Sequence, residues 1–307
     1  MYSFSASAPG KLFLGGEYAV LEGAKAVITS VDRRVRATTT NANLPQSALL
    51  RGVHDQVSKY LSDRIGKAPG RLPNLDIESR GFSENRVKLG IGSSAAVSTA
   101  ATGALFLWAG LDLAQYADDL LQVATAAHRD YQEGKGSGAD VATAALGGTV
   151  IFEQGRARRV ASKVDLETVF VWTGKAASTV SLVDEVRAIK VQDPQVFGRV
   201  MDPLVGLAND LAGAYETGDA RRVVELTGRY GLAMAALGEA ARVSIVTKEL
   251  ARVAEVAREC GGAAKPSGAG GGDAAVGVFV DPGEADAFRK RLVEGGFHVL
   301  DLVAGAE

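Results

Sequence analysis

The sequence is poor in several residue types around which sites are often built. It has one cysteine, Cys260, among 307 residues. That excludes an internal disulfide framework and suits a reducing compartment, so a cytoplasmic location is expected. The three histidines, His54, His128 and His298, lie far apart with no cysteine cluster near them, so no structural zinc site is expected. No apolar run approaches the ~20 residues that span a bilayer. The opening stretch MYSFSASAPG has neither a basic n-region nor an apolar h-region, so no secretory leader is expected in it. Charge of one sign is also missing. The net charge is −2, with acids and bases interspersed, and neither nucleic acid nor a membrane is expected as a partner.

What the chain does have is a hydrophobic content of 47%, enough for a sizeable core and for two domains. It also has 37 glycines. These cluster in LGGEYAVLEG, LGIGSS, EGKGSGAD and SGAGGGD, beside serine, lysine and aspartate, which points to close backbone approach to a ligand as well as to turns.

Patterning predicts strands at YSFSASA and NLDIES, a long strand or hairpin in the Val/Ile/Thr-rich Ala26 to Thr40, and a helix in QSALLRGVHDQVSKYLSDRIG. Two helices follow, SAAVSTAATGALFLWAG and LAQYADDLLQVATAAHRDYQ, the second with Asp112 as its expected N-cap. GADVATAALGG reads as a further helix, and TVIFEQGRARRV as a hairpin turning at Gln154-Gly155. Beyond a strand at ETVFVWTG, the region from about Thr179 to Glu259 reads as helical, and the chain closes as strand, helix and strand. A boundary is expected near Ser162 to Asp165, giving domains 1–164 and 165–307.

The stretch Lys88 to Ala96, KLGIGSSAA, reads as a loop feeding a helix. Gly90 and Gly92 let the backbone approach a bulky ligand, and Ser93 and Ser94 can cap a helix starting at Ala95. The unpaired N–H groups of that first turn favour phosphate. Lys88 adds positive charge. The letters also fit G-x-G-x-x-A, but the acid at the required distance, Asp112, lies between two helices rather than at a strand end, against a dinucleotide site. The loop is not of the G-x-x-x-x-G-K-[ST] type.

Three segments, APGKLFLGGEYAVLEG, GIGSSAA and KPSGAGGGDAAVGVF, resemble the three signature motifs of the GHMP kinases and occur in that family's order. The resemblance covers nearly the whole chain. It implies an α+β, two-domain fold: an N-terminal domain like ribosomal protein S5 domain 2 and a ferredoxin-like C-terminal domain, with the active site between them. Within the family the chain looks most like the bacterial-type phosphomevalonate kinases. Glu17-Tyr18 stands where mevalonate kinases usually have Glu-His, and Asp273 where they usually have glycine. WTGKAASTVSLV and AHRDYQEGKGSGAD look like further segments of that branch. The resemblance implies transfer of the γ-phosphoryl group of ATP to phosphomevalonate with Mg²⁺, by a monomer or homodimer. The rival expectations are a mevalonate kinase, a catalytically dead sensor on the same fold, and a diphosphomevalonate decarboxylase, whose signature segments are not seen.

Carried over residue by residue, Lys11 and Asp140 match the family's catalytic pair. Lys88, Gly90, Gly92, Ser93, Ser94 and Ala95 match the nucleotide loop, with Ser94 on the metal. In mevalonate kinases a glutamate also holds the metal. Arg129 stands at that position here, leaving Asp130, Glu133 or water to substitute. Glu17, Tyr18, Ser137, Gly138, Ser267, Gly268, Ala269, Gly270, Gly271 and Asp273 are expected around the acceptor. Arg129, Lys135, Lys175 and Lys265 are candidate partners for its phosphate and carboxylate, and Ser178 and Thr179 are candidate hydroxyl donors. His128 is read as a helix-face residue.

Overall fold

Strand β1, Ser5–Gly15, pairs antiparallel with β2, Ala26–Thr40, from Ser5↔Thr38 to Gly15↔Val27. The Val/Ile/Thr-rich run thus forms a strand with the expected ends, as β-branched residues favour. β1 is longer than its alternating start suggests, because it runs on through the APGK segment. A register shift at Pro9/Gly10 makes this possible: Pro9 has no N–H to donate, and a bulge tolerates that loss. The computed structural model describes residues 3–66, 70–84, 87–161, 164–174, 179–272 and 274–306. The expected boundary falls partly outside them.

The chain continues through α1 (Ala48–Ile65), β3 (Asn74–Glu78), the short hairpin β4 (Ser83–Glu84) and β5 (Val87–Lys88), α2 (Ser93–Trp108), α3 (Ala117–Tyr131), α4 (Ala139–Leu146), β6 (Thr149–Glu153) and β7 (Arg156–Arg159). The first sheet has the order β1-β2-β6-β7, with β3 also paired to β2. Helix α2 lies against β1 and β2, flanked by α1, α3 and α4. Its Ala-rich sequence is buried almost all round, and such small side chains let it seat closely on the sheet. Asp112 does not cap α3. Its carboxylate accepts from the N–H groups of Ala114 and Gln115 at 3.0 Å each, forming a turn that ends before the helix begins at Ala117.

The second half comprises β8 (Glu167–Trp172), α5 (Thr179–Gln192), α6 (Pro194–Thr217), α7 (Ala220–Ala241), α8 (Lys248–Glu259), β9 (Ala263–Ser267), β10 (Ala274–Phe279), α9 (Pro282–Glu294) and β11 (His298–Leu300). Helices α6, α7 and α8 are N-capped by Asp193, Asp219 and Thr247, each side chain accepting from the N–H three residues on. The second sheet is antiparallel, in the order β11-β8-β10-β9. Strand β9 is not legible in the sequence because it carries Pro266, which a strand tolerates at an edge. Its described partner is β10 alone.

Val169, Val171, Phe279 and Phe288 join α8 and α9 to one face of this sheet. On the other, Phe170, Val276 and Tyr230 belong to a cluster that runs without a break through Leu211 to Leu12 and Phe106, so one apolar core spans both halves. The segment after β11 returns to the first sheet. Ala304 bridges Val31, Gly305 N–H donates to Ser30 O at 2.9 Å, and Gly148 N–H to Ala306 O at 3.2 Å. Among the described residues no helix is long and apolar enough to cross a membrane.

Candidate active site

The glycine-rich segments meet at one cleft of about 270 Å³. β1 delivers Lys11 and Phe13, and the turn after it Glu17 and Tyr18. The β5–α2 connection delivers Lys88, Gly90, Gly92, Ser93 and Ser94. The segment from α3 into α4 delivers Lys135, Ser137 and Asp140, and the loop after β9 delivers Gly268 and Ala269.

Two glycines make this approach possible. At Gly10 a Cβ would lie 2.8 Å from Ile91 O; without one, Lys11 N–H donates to that same carbonyl at 2.9 Å. Gly92, at φ +77°, is the N-cap of α2, and a Cβ there would meet Lys11 Cε at 2.7 Å and Cγ at 2.8 Å. The helix begins at Ser93 rather than Ala95, and no side chain caps it. Ser93 and Ser94 therefore sit in the first turn, whose N–H groups and positive dipole end are suited to an anion. Ala95 is buried in the core beneath that turn.

Lys11 is nearly buried, 9% exposed, with its ammonium 5.0 Å above the Phe13 ring. Asp140 lies in the first turn of α4, where the helix dipole favours the carboxylate. Ser94 Oγ is 3.0 Å from His128 Nε2. Burial holds the His128 pKa below the usual histidine value, with Asp140 opposing and Lys11 adding to the shift, so the ring is neutral at neutral pH. His128 is thus more than the helix-face residue expected: it fixes the hydroxyl of the loop serine. Periodicity cannot reveal a contact made across 34 positions.

Lys265 does not face a ligand. Its side chain is fully buried in an ion pair with Glu17 Oε1, and it also donates to Pro266 O at 2.8 Å and Phe13 O at 3.5 Å. Burial pulls its pKa down, with the Glu17 carboxylate opposing. Glu17 Oε1 also accepts from Gly268 N–H at 3.3 Å, while Oε2 is buried without a partner among the described residues. Tyr18 O–H donates to Ala269 O at 2.5 Å. Burial, and then the Glu17 charge, raise the phenol's pKa.

Several expected residues that the structure describes are not among those lining the cleft. Arg129 is exposed on α3. Gly138 serves as the N-cap of α4. Ser267 is buried and donates to Phe13 O at 3.0 Å. Gly270 and Gly271 turn away toward Ile245, whose carbonyl accepts from Gly271 N–H at 2.9 Å. Thr179 opens α5. Lys175, Ser178 and Asp273 lie outside the described residues. Neither acid suggested in place of the metal-binding glutamate reaches the cleft: Asp130 accepts from Gln56 at 2.8 Å, and Glu133 pairs with Lys135 at 3.3 Å. Among the described residues no group of three His, Cys, Asp or Glu is placed to hold a metal.

A second cavity of about 640 Å³ adjoins the cleft, sharing Lys88, Ser93 and Ser94 with it. Its walls are largely apolar, including Leu44, Pro45, Leu50 and Val97, with Tyr131 at 48% exposure. The α2 N-terminus therefore stands between a polar and an apolar chamber. The apolar chamber went unread in the sequence because its residues come from α1, α2, α3, β3, β5 and the loop before α1 and share no motif.

Residues 52–148 match the family described as GHMP kinases N terminal domain, and residues 214–297 that described as GHMP kinases C terminal. The chain is 28% identical to a phosphomevalonate kinase of Streptomyces sp. strain CL190, covering 98% of this chain and 96% of that protein. It is 29% identical to a mevalonate kinase of Archaeoglobus fulgidus, covering 89% and 92%. The solved structure of Streptococcus pneumoniae phosphomevalonate kinase in complex with phosphomevalonate and AMPPNP superposes with a TM-score of 0.82 at 21% identity, covering 99% of this chain and 100% of that one. The two family matches fall in order along one chain and together take in more than half of it: the chain belongs to the GHMP kinases.

Proposed function

We propose that this kinase transfers the γ-phosphoryl group of ATP to the 5-phosphate of phosphomevalonate, giving diphosphomevalonate and ADP. The observation that carries this reading is the likeness to a phosphomevalonate kinase along 98% of this chain and 96% of that protein. Glu17-Tyr18 at the cleft supports it. The count of cations does so less than the sequence suggests. Lys11 and Lys135 line the cleft while Arg129 and Lys265 do not, and Lys135 is already bonded to Asp184 at 2.8 Å.

In this reading the apolar chamber takes the nucleoside and the first turn of α2 takes its phosphates. Lys11 and Asp140 face the transferring group and the acceptor. The oxygen donors at the α2 N-terminus and on α4, Ser94 and Asp140, suit magnesium, which needs few protein ligands because it keeps several waters and binds phosphates. Ser94 and Asp140 would hold that ion, and it would supply neutralisation of the phosphate charge. His128, neutral, can accept the Ser94 proton and leave the lone pairs of Oγ turned to that ion.

The loop assignment makes Gly92→Val informative. Valine at φ +77° is strained, by roughly 1–3 kcal/mol, and its Cβ would push on the Lys11 stem. We expect a folded variant whose ATP affinity falls at least ~10-fold. Unchanged affinity in a nucleotide titration of the folded variant overturns the assignment.

A second reading, mevalonate kinase, draws on the 29% identity to the Archaeoglobus enzyme. ATP consumption measured side by side with mevalonate, phosphomevalonate and diphosphomevalonate separates the two. We expect kcat/KM for phosphomevalonate to exceed that for mevalonate by at least ~100-fold, or about 2.7 kcal/mol of transition-state stabilisation. A site formed around an ionic partner rejects the analogue that lacks it, because its own groups go unsatisfied. A ratio near one, or one favouring mevalonate, moves the chain to the other branch.

A further inference from the structure

Glu17 and Tyr18 are adjacent in the first motif, yet both reach the third, about 250 positions away. Glu17 holds the stem of the loop after β9, through Lys265 and Gly268 N–H. Tyr18 holds its next residue, through Ala269 O. Gly268 and Ala269 are the part of that loop that lines the cleft, so where these bonds place them sets the cleft's shape. Further along, Gly271 is tied to Ile245 on the other side.

The backbone of Tyr18 is held at φ 60°, ψ −50°, a sparsely populated combination for a residue with a side chain. Such conformations persist where the surroundings over-determine them, and they concentrate at clamps and switches. This one turns the phenol toward Ala269. Burial keeps that phenol protonated, so it stays a donor across the working pH range.

The two attachments differ in kind. Opening the Glu17–Lys265 pair would leave two charges unpaired in an apolar interior, which is strongly unfavourable. The Tyr18–Ala269 contact is a single neutral hydrogen bond, of a size that thermal motion breaks readily. We propose that Glu17 and Tyr18 are positioning residues that latch the loop 268–272 against the cleft: the Glu17–Lys265 pair is the fixed hinge, and the Tyr18 hydroxyl is the catch that releases Ala269 for the acceptor to enter and closes behind it. This rests on the kinase reading above, but not on which acceptor is used, since the loop closes on whatever occupies the cleft.

Tyr18→Phe tests it, because it keeps the ring and removes only the hydroxyl. KM for the acceptor is measured with whichever acceptor the side-by-side assay shows to be turned over, so a wrong acceptor assignment does not count against the latch. Amide hydrogen exchange at 268–272 is followed without any substrate. We expect acceptor KM to rise roughly five- to tenfold, KM for ATP to stay within about twofold, and exchange at 268–272 to accelerate by a similar five- to tenfold factor, as loss of one such hydrogen bond implies. Exchange elsewhere should be unchanged. Unchanged loop exchange overturns the latch, even if acceptor KM rises, because the phenol would then be contacting the acceptor itself. Faster exchange with unchanged acceptor KM, or with KM for ATP rising equally, overturns its role in positioning the acceptor.

Discussion

Asp140→Asn and Lys11→Met each lower kcat by roughly 10²- to 10⁴-fold while the affinity for ATP changes far less. Phosphoryl transfer asks a protein mainly for positioning and for neutralisation of charge. If the acceptor is a phosphate monoester, with a second pKa of about 6, it arrives largely ionised, and Asp140 has little need to act as a strong base. Its task is then orientation at the N-terminal end of α4, which an amide cannot perform with the same charge. In the proposed reading Lys11 would screen the repulsion between two anions forced together, from a nearly buried position where charge interacts strongly. Unit charges about 4 Å apart at an effective dielectric near 20 interact by ~4 kcal/mol, and each ~1.4 kcal/mol is tenfold in rate, so the expected loss lies inside the stated range. Methionine keeps an unbranched stem beside Gly92, which separates loss of charge from loss of packing. Steady-state kinetics together with a direct nucleotide titration decide the matter. Near-native turnover in both variants would show that the pair has no catalytic role.

Lys265→Met destabilises the fold by about 3–5 kcal/mol, the usual consequence of removing one member of a buried ion pair. Both side chains are essentially inaccessible, at 0% and 2% exposure, and Glu17 Oε2 already lacks a partner among the described residues. Without Lys265 the carboxylate must stay charged and unpaired or take up a proton. Adding Glu17→Gln to Lys265→Met removes the orphaned charge and recovers a large part of the loss. Urea unfolding of the wild type, both single variants and the double variant gives the coupling directly. A single-variant loss below about 1 kcal/mol would mean that the pair is not closed in solution.

These two lysines show what a sequence can and cannot convey. Lys11 and Lys265 both stand beside glycine-rich motifs, and nothing local distinguishes them. One lines the cleft while the other is sealed behind Glu17, because which glutamate meets which lysine is settled by packing across 248 positions. Elements with strong local signals were legible: β2 as a β-branched run, the Gln154-Gly155 hairpin, and α2 as a helix fed by a glycine-serine loop. Elements whose identity depends on neighbours were not. β9 hides behind Pro266, the turn at Asp112 resembles a helix cap, and His128 gains its meaning from Ser94 on another helix. The three motifs located the cleft, yet the apolar chamber beside it came from residues with no pattern in common.

The return of the chain to its first sheet has a consequence for synthesis. Thr29 and Ser30 emerge early from the ribosome, but Thr29 Oγ1 receives its bond from Gly305 N–H at 2.9 Å, and Ser30 Oγ donates to Ala306 O. These contacts join positions 276 apart. At translation rates of about 5–20 residues per second, the centre of the first sheet waits roughly 14–55 s for them. Until then Thr29 and Ser30 lack the partners that residues 305 and 306 supply. Completion of the first sheet is therefore timed by residues 303–306 of the other half, and a nascent chain stalled before residue 303 holds an unfinished sheet.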